Sequence, residues 1–277
     1  MSLINGFDIM RYAKDNQLVL PAFNTTNMEI TYGIVRGLSR AKLPGYVQIS
    51  SSNLRLSSPE IIAAITRDAV KNTETPIGLH LDHGKTFEDV IACVEAGFTS
   101  IMVDASHLPY EENICETRKV ADYCHSFGLP VEAELGALMG KEDDIVCEED
   151  SKTDPDLVRD FVERTACDVL AVSIGNVHGL CLNPQIDLPL LKKIYEVSPV
   201  PLVLHGGSGI PAEVIKQAKQ FGLIKINYGS ALRQRFISTF GEAYERNHNE
   251  YNIIDLSLSA VENISQIARE LVTMINR

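Results

Sequence analysis

The 277-residue chain has no tryptophan, no Cys-x-x-Cys pair, no long apolar run and little positive charge. The missing tryptophan excludes nothing functional. The six cysteines (Cys93, Cys115, Cys124, Cys147, Cys167 and Cys181) are scattered. Their spacing argues against a thiolate zinc site, and their place in amphipathic stretches suits small buried thiols in a reducing compartment. No run approaches the roughly 18 apolar residues of a membrane span, and MSLINGFDIMRYAKD lacks the apolar centre of a secretory signal. A cytoplasmic protein is the expectation. Lys and Arg number 25 against 37 Asp and Glu, a net charge of −12. That balance disfavours a nucleic-acid partner, whose phosphates need a positive surface. An anionic substrate would need local positive charge, a metal or aimed backbone N–H groups.

What the chain does have is a globular composition, 45% hydrophobic and 22% charged, enough for one large α/β core. Eight short β-rich runs recur about 29 residues apart: Leu18–Phe23, Tyr46–Ser50, Ile77–Leu81, Ser100–Ala105, Val131–Leu135, Val169–Ile174, Leu202–Leu204 and Ile224–Ile226. That period matches the length of a βαβ unit, roughly 30 residues. Several runs are apolar on successive residues, as strands buried on both faces should be. Helical patterns fill the gaps. Thr26 with Glu29 reads as a capping box, and Ser58-Pro59 and Asp154-Pro155 put a cap residue before a first-turn proline. Leu256–Ile275 reads as an extra C-terminal helix. With no linker or composition shift, the expectation is one α/β domain over 1–277, a (β/α)₈ TIM barrel. An open, doubly wound sheet is the alternative. The run His205-Gly206-Gly207-Ser208-Gly209 is no dinucleotide fingerprint, because it follows the seventh strand rather than the first.

In such a barrel, chemistry gathers at the C-terminal strand ends. Four of the seven histidines fall there: His80 and His83 around the third run, His178 after the sixth and His205 after the seventh. Any one of them could be a packing or loop residue. Three neutral imidazoles converging with an open position would make a Lewis-acid zinc site, and His83, His178 and His205 are chosen because each opens a loop. His80, inside its strand, reads as a hydrogen-bonded core residue. Asp82 adjoins His83 as a proton-transfer partner. Asp104 lies on the fourth run. Glu132 and Glu134 share one strand face, a buried pair that is costly without a cation or hydrogen bonds. The stretch GALMGKEDD (residues 136–144) is either a solvated loop or a mobile lid carrying Glu142 as acid or base. Gly206, Gly207 and Ser208, with the turn Asn227-Tyr228-Gly229-Ser230 after strand eight, form the corner where barrels bind phosphate.

With these residues in view, the chain resembles the class II, zinc-dependent ketose-bisphosphate aldolases, including the tagatose- and fructose-bisphosphate branches. The resemblance runs from about Pro21 to Ser230 through PAFN, HLDHG, DASH, VEAELG, GKEDD, SIGNVHG, LHGGSG and KIN. It implies reversible cleavage of a ketose 1-phosphate or 1,6-bisphosphate to dihydroxyacetone phosphate and an aldehyde, through a zinc-stabilised enediolate. His83, His178 and His205 would hold the catalytic Zn²⁺. Asp82 would handle the proton of the alcohol that becomes the aldehyde, and Glu142 would be the lid acid/base. Asp104 and Glu134 match positions at an alternative or second site, for a divalent or monovalent cation. Gly179, Gly206, Gly207, Ser208, Asn227, Gly229 and Ser230 would bind the phosphate, with Asn24 and Ser50 near the substrate. A homodimer or homotetramer is likewise implied.

The chain also departs from that family. Gly229, Ser230 and Ala231 stand where an Asp or Ala, a Thr and an acidic residue are usual. LCLNPQ after His178 lacks a lysine, Lys141 replaces an acidic or amide residue, and only Arg233 and Arg235 could approach a second phosphate. The aldehyde half is therefore left open. The competing readings are a metal-dependent barrel hydrolase or epimerase, and a non-catalytic partner subunit of a sugar-catabolic complex. PAFN, where a hydrolase would carry H-x-H, counts against the first. The full set of Asp82, three histidines and Glu142 counts against the second.

Overall fold

The computed structural model describes residues 2–137, 140–142, 145–147, 151–179, 184–249 and 251–277, with the backbone alone for 140–142 and 145–147. Eight parallel strands close into a barrel: β1 (Leu20–Asn24), β2 (Gly45–Ser50), β3 (Ile77–Gly84), β4 (Ser100–Val103), β5 (Val131–Leu135), then, after two short strands, β8 (Val169–Val172), β9 (Leu202–Leu204) and β10 (Leu223–Tyr228). Closure comes from β1 pairing with β10, with Leu20 opposite Lys225 and Ala22 opposite Asn227. All eight expected strands are present, displaced at their ends by up to three residues. The third extends to Gly84, so His83 lies within it rather than in a loop beyond it.

Between the strands lie helices α2 (Met28–Ala41), α3 (Pro59–Val70), α4 (Phe87–Ala96), α5 (Tyr110–Ser126), α6 (Pro155–Thr165), α7 (Leu188–Val197) and α8 (Ala212–Lys219). They follow α1 (Gly6–Asp15) and precede α9 (Ser230–Arg246) and α10 (Ile253–Asn276). Helix α2 starts one residue later than the capping box places it, because Asn27, not Thr26, accepts from the Ile30 N–H. Asp154 accepts from the Asp156 N–H with Pro155 in the first turn, as read. Ser58 makes no side-chain cap; its hydroxyl donates instead to Glu60 at 2.6 Å. None of the described helices is long and apolar enough to cross a membrane.

Two apolar layers follow from the two strand faces. Outward residues such as Val47, Leu79, Leu81, Ile101, Leu170 and Leu204 meet the helices in one continuous cluster. Burying each such side chain contributes roughly 1.5–3 kcal/mol. Inward residues Leu20, Ala22, Tyr46, Met102, Val169, Ala171, Val203 and Ile224 fill the lower lumen, where α1 adds Ile9 and Ala13. Above that plug the inward positions turn polar: Asn24, Gln48, His80, Asp82, Glu132, Glu134, Lys225 and Asn227 are all buried. The lower barrel is packed for stability, and the upper barrel holds the chemistry.

The segment read as a glycine-bearing acidic loop contains an antiparallel pair, β6 (Gly140–Glu142) with β7 (Ile145–Cys147).

Candidate active site

Strand β3 sets the arrangement. Alternation points His80 and Asp82 into the lumen and should turn His83 outward. The β3–β4 register shifts between Leu81 and Gly84, and His83 adopts a left-handed backbone (φ 45°). A bulge of this kind re-aims one side chain, and its backbone costs on the order of 1–3 kcal/mol. As a result both Asp82 and His83 face the barrel mouth, with His83 Nε2 3.9 Å from Asp82 Oδ1. The His83 N–H, released from the ladder, points at Met102 Sδ.

His205 follows β9, and His178 lies in the loop after β8. Ring centroids are 4.7 Å apart for His83–His205, 5.4 Å for His83–His178 and 6.0 Å for His178–His205. One ligand atom from each lies within 4.8 Å of the others. The three imidazoles chosen from strand-end spacing do converge.

Their hydrogen bonds fix how the rings are turned. His83 Nδ1 donates to Asp104 Oδ2 at 2.7 Å, and His205 Nε2 donates to Glu132 Oε1 at 2.9 Å. The remaining nitrogens, His83 Nε2 and His205 Nδ1, face each other at 3.0 Å. With both N–H groups committed to carboxylates, two lone pairs oppose one another, and only a shared proton or a cation makes that favourable. Burial holds His205 below the usual imidazole value, in the neutral form that ligates a metal.

The surrounding charge points the same way. Four acidic side chains (Asp82, Asp104, Glu132 and Glu134) crowd the mouth, and Lys225 is the one buried Lys or Arg among the described residues. Burial would raise the Glu132 carboxyl, but Lys225 at 2.9 Å and the His205 bond outweigh it and hold it low. Burial likewise opposes Asp104, which the His83 bond and the Ser106 hydroxyl and N–H bring down. Glu134 has no such support. Burial and then the Asp104 charge drive it well above the carboxylate range, and its Oε2 is buried without a hydrogen-bond partner. That oxygen lies 3.8 Å from His205 and 4.0 Å from His83. His83, Asp104 and Glu134 form a second group able to hold a cation. An excess of buried negative charge beside opposed imidazole lone pairs fits a divalent ion.

Comparison with known proteins decides the family. Residues 5–277 match the pattern described as fructose-bisphosphate aldolase class-II. The chain belongs to the class II fructose-bisphosphate aldolase family. It is similar to the fructose-bisphosphate aldolase of Geobacillus stearothermophilus, 36% identical over 91% of this chain and 89% of that one. It is 34% identical to the Thermus caldophilus fructose-bisphosphate aldolase over 99% of both. Among solved structures, the YdjI aldolase from Escherichia coli K12 superposes with a TM-score of 0.86 at 31% identity, covering 99% of this chain and 97% of the other. The chain is thus a class II aldolase, a carbon–carbon lyase of a divalent-metal-dependent class.

The other expected residues of this class II aldolase fall around that centre. Asp82 accepts from Asn24 Nδ2 at 2.7 Å and from Asn227 Nδ2 at 2.9 Å, so a residue expected near the substrate and one expected at the phosphate both touch the proton-handling candidate. Ser50 ends β2 beside Asp82 in register and accepts from Asn53 Nδ2. Gly206 (φ 68°) is required on two counts, since a Cβ there would also lie 2.2 Å from the Val177 carbonyl oxygen. A Cβ on Gly207 would meet the Asn227 carbonyl oxygen at 2.7 Å. These glycines let the loop after β9 pack between the His178 loop and β10. Ser208 Oγ accepts from the Ala231 N–H, tying that loop to the first turn of α9, where Gly229 and Ser230 begin the helix. Gly179 (φ 98°) follows His178. Arg235 donates to Asn263 on α10. The Glu142 side chain lies outside the described residues.

Two further residues join the site that sequence reasoning did not assign to it. Lys225 and Gln48 reach it through Asn227 and Asn24. A lysine between Ile224 and Ile226 in a buried strand was the available signal, since lysine is rarely buried unpaired.

Proposed function

We propose that this class II aldolase cleaves a ketose 1-phosphate or ketose 1,6-bisphosphate to dihydroxyacetone phosphate and an aldehyde, with Zn²⁺ as the catalytic ion. The observation that carries the reading is the opposed pair of imidazole nitrogens, His83 Nε2 and His205 Nδ1, with His178 beside them. All-nitrogen donors of this kind with an open position suit zinc. His83, His178 and His205 would hold it, and Asp104 and Glu134 would offer, with His83, a second position for a divalent or monovalent cation. When bound, the ion supplies Lewis-acid stabilisation of the negative charge that C–C cleavage leaves on the three-carbon half.

The chain's own residues carry the remaining work. Asp82, oriented by two amides, takes the hydroxyl proton as the aldehyde carbonyl forms and returns it in condensation. Glu142 is proposed as the second acid/base. The phosphate would lie against Gly179, Gly206, Gly207, Ser208, Asn227, Gly229 and Ser230, where the loop after β9 meets the N-terminus of α9. Asn24, Ser50 and Asn227 border the substrate from the barrel side. The Geobacillus stearothermophilus and Thermus caldophilus relatives are named fructose-bisphosphate aldolases, which supports a ketose bisphosphate here; the residues Gly229 and Ala231 favour an aldehyde half of different size. We also propose one domain over 1–277 and a cytoplasmic site of action, which the free, scattered cysteines suit, Cys93, Cys124 and Cys167 being buried and Cys115 exposed. Exposed Ile237, Tyr244, Ile253, Ile254 and Leu258 on the packed pair α9 and α10 support a homodimer or homotetramer. Light scattering should return a multiple of the chain mass; a monomer at micromolar concentration would remove that part of the reading.

A screen of ketose 1-phosphates and 1,6-bisphosphates, coupled to detection of dihydroxyacetone phosphate, tests the function. Cleavage should disappear with a chelator and return with Zn²⁺. Borohydride added with substrate should leave the enzyme active, because no lysine imine is involved. Inactivation by borohydride, or chelator-resistant turnover, would contradict the mechanism.

A further inference from the structure

We infer that Lys225 is a positioning residue for Asp82, acting through the Asn227 side chain, with Gln48 doing the same through Asn24 on the other side. This rests on the proton-handling role proposed for Asp82.

The geometry is a chain of bonds with one polarity. An ammonium can only donate. Lys225 Nζ donates to Asn227 Oδ1 at 2.8 Å, which obliges that amide to turn its NH₂ the other way. Asn227 Nδ2 then donates to Asp82 Oδ1 at 2.9 Å. On the opposite side, Gln48 Nε2 donates to Asn24 Oδ1 at 2.9 Å, and Asn24 Nδ2 donates to Asp82 Oδ2 at 2.7 Å. Each carboxylate oxygen is therefore held by an amide whose orientation is set from behind. All five side chains are buried, so water is poorly placed to substitute.

Lys225 is itself fixed by Glu132, at 2.9 Å from Oε2 and 3.2 Å from Oε1, and Lys225 opposes Leu20 at the β1–β10 seam. Without the lysine, Asn227 is free to rotate its amide. One of the two orientations sets a carbonyl oxygen against the Asp82 carboxylate and turns it from the substrate hydroxyl. Neither Lys225 nor Gln48 contacts the three histidines or the glycine loop after β9 in any described hydrogen bond, and Lys225 meets the phosphate corner only at the Asn227 side chain. Their loss should therefore spare the steps that need only the three-carbon half.

Two readouts on metal-loaded enzyme separate these effects. The first is cleavage of fructose 1,6-bisphosphate or tagatose 1,6-bisphosphate, whichever the wild type cleaves faster. The second is exchange of carbon-bound hydrogen of dihydroxyacetone phosphate with D₂O, followed by NMR, which involves no aldehyde-side hydroxyl. In Lys225→Met, cleavage kcat should fall about 10²-fold, the cost of misplacing a reacting group by about 1 Å, while exchange stays within roughly threefold. KM and bound metal should hold. Gln48→Met leaves no buried charge unpaired and should show the same split if Lys225→Met does not fold. Cleavage and exchange falling in proportion, or cleavage unaltered in a folded variant, would overturn the inference. A wild type that exchanges but cleaves none of the ketose 1-phosphates and 1,6-bisphosphates screened would instead sink the proposed function on which the role of Asp82 rests.

Discussion

Asp82→Ala is expected to remove aldol cleavage while leaving the cation in place. Asp82 sits in β3 between His80 and His83, yet the polar atoms that touch it are the Asn24 and Asn227 amides. Its nearest approach to an imidazole, 3.9 Å from His83 Nε2, is too long for a hydrogen bond. Deleting the carboxylate therefore leaves the His83–Asp104 and His205–Glu132 bonds intact, and metal content should remain that of the wild type. What is lost is the group that moves the hydroxyl proton, typically worth 10²–10⁴-fold, so kcat should drop by roughly that factor. The check is a paired measurement of bound zinc and of dihydroxyacetone phosphate release. Unchanged turnover in metal-replete Asp82→Ala would dismiss the role.

His205→Ala should fail in the opposite way, losing the metal first and activity as a consequence. His205 is fully buried, its Nε2–H engaged by Glu132 and its Nδ1 aimed at His83. Removing an outer partner of a metal-bound histidine costs about 10–100-fold in metal affinity, and removing the histidine itself should cost more. The variant also leaves Glu132 with Lys225 and a hole where a ring was, so some loss of stability accompanies it. Titration with a competing chelator should show weakened zinc binding, and added zinc at high concentration should restore part of the cleavage. A variant that binds zinc as tightly as the wild type would remove His205 from the centre. Read together, the two substitutions separate proton handling from cation binding at positions that face one barrel mouth.

Much of this was legible in the sequence, for identifiable reasons. Strands buried on both faces write themselves as unbroken apolar runs, so LVL at 202–204 and VLAV at 169–172 announce a parallel sheet without help from context. Polar residues that follow the C-terminal ends of such runs stand out against them, which marks His178 and His205. The bulge at His83 was not legible. Nothing in HLDHG says that the second histidine leaves the alternation, and its left-handed backbone is imposed by the β3–β4 register. Asn27 takes the cap of α2 in place of Thr26, a one-residue choice that propensity does not make. Lys225 went unassigned because a strand-embedded lysine can turn either way, and only the closed barrel brings it to Glu132 and Asn227. Helix α1 also reads as an ordinary amphipathic segment, and its seat under the lumen depends on the barrel it closes.

The most direct test is anomalous diffraction from crystals of the zinc-loaded protein. A metal peak held jointly by His83, His178 and His205 is expected, with the first and last still hydrogen-bonded to Asp104 and Glu132. A zinc ion bound away from those rings, or rings that stay unligated at saturating zinc, would contradict it.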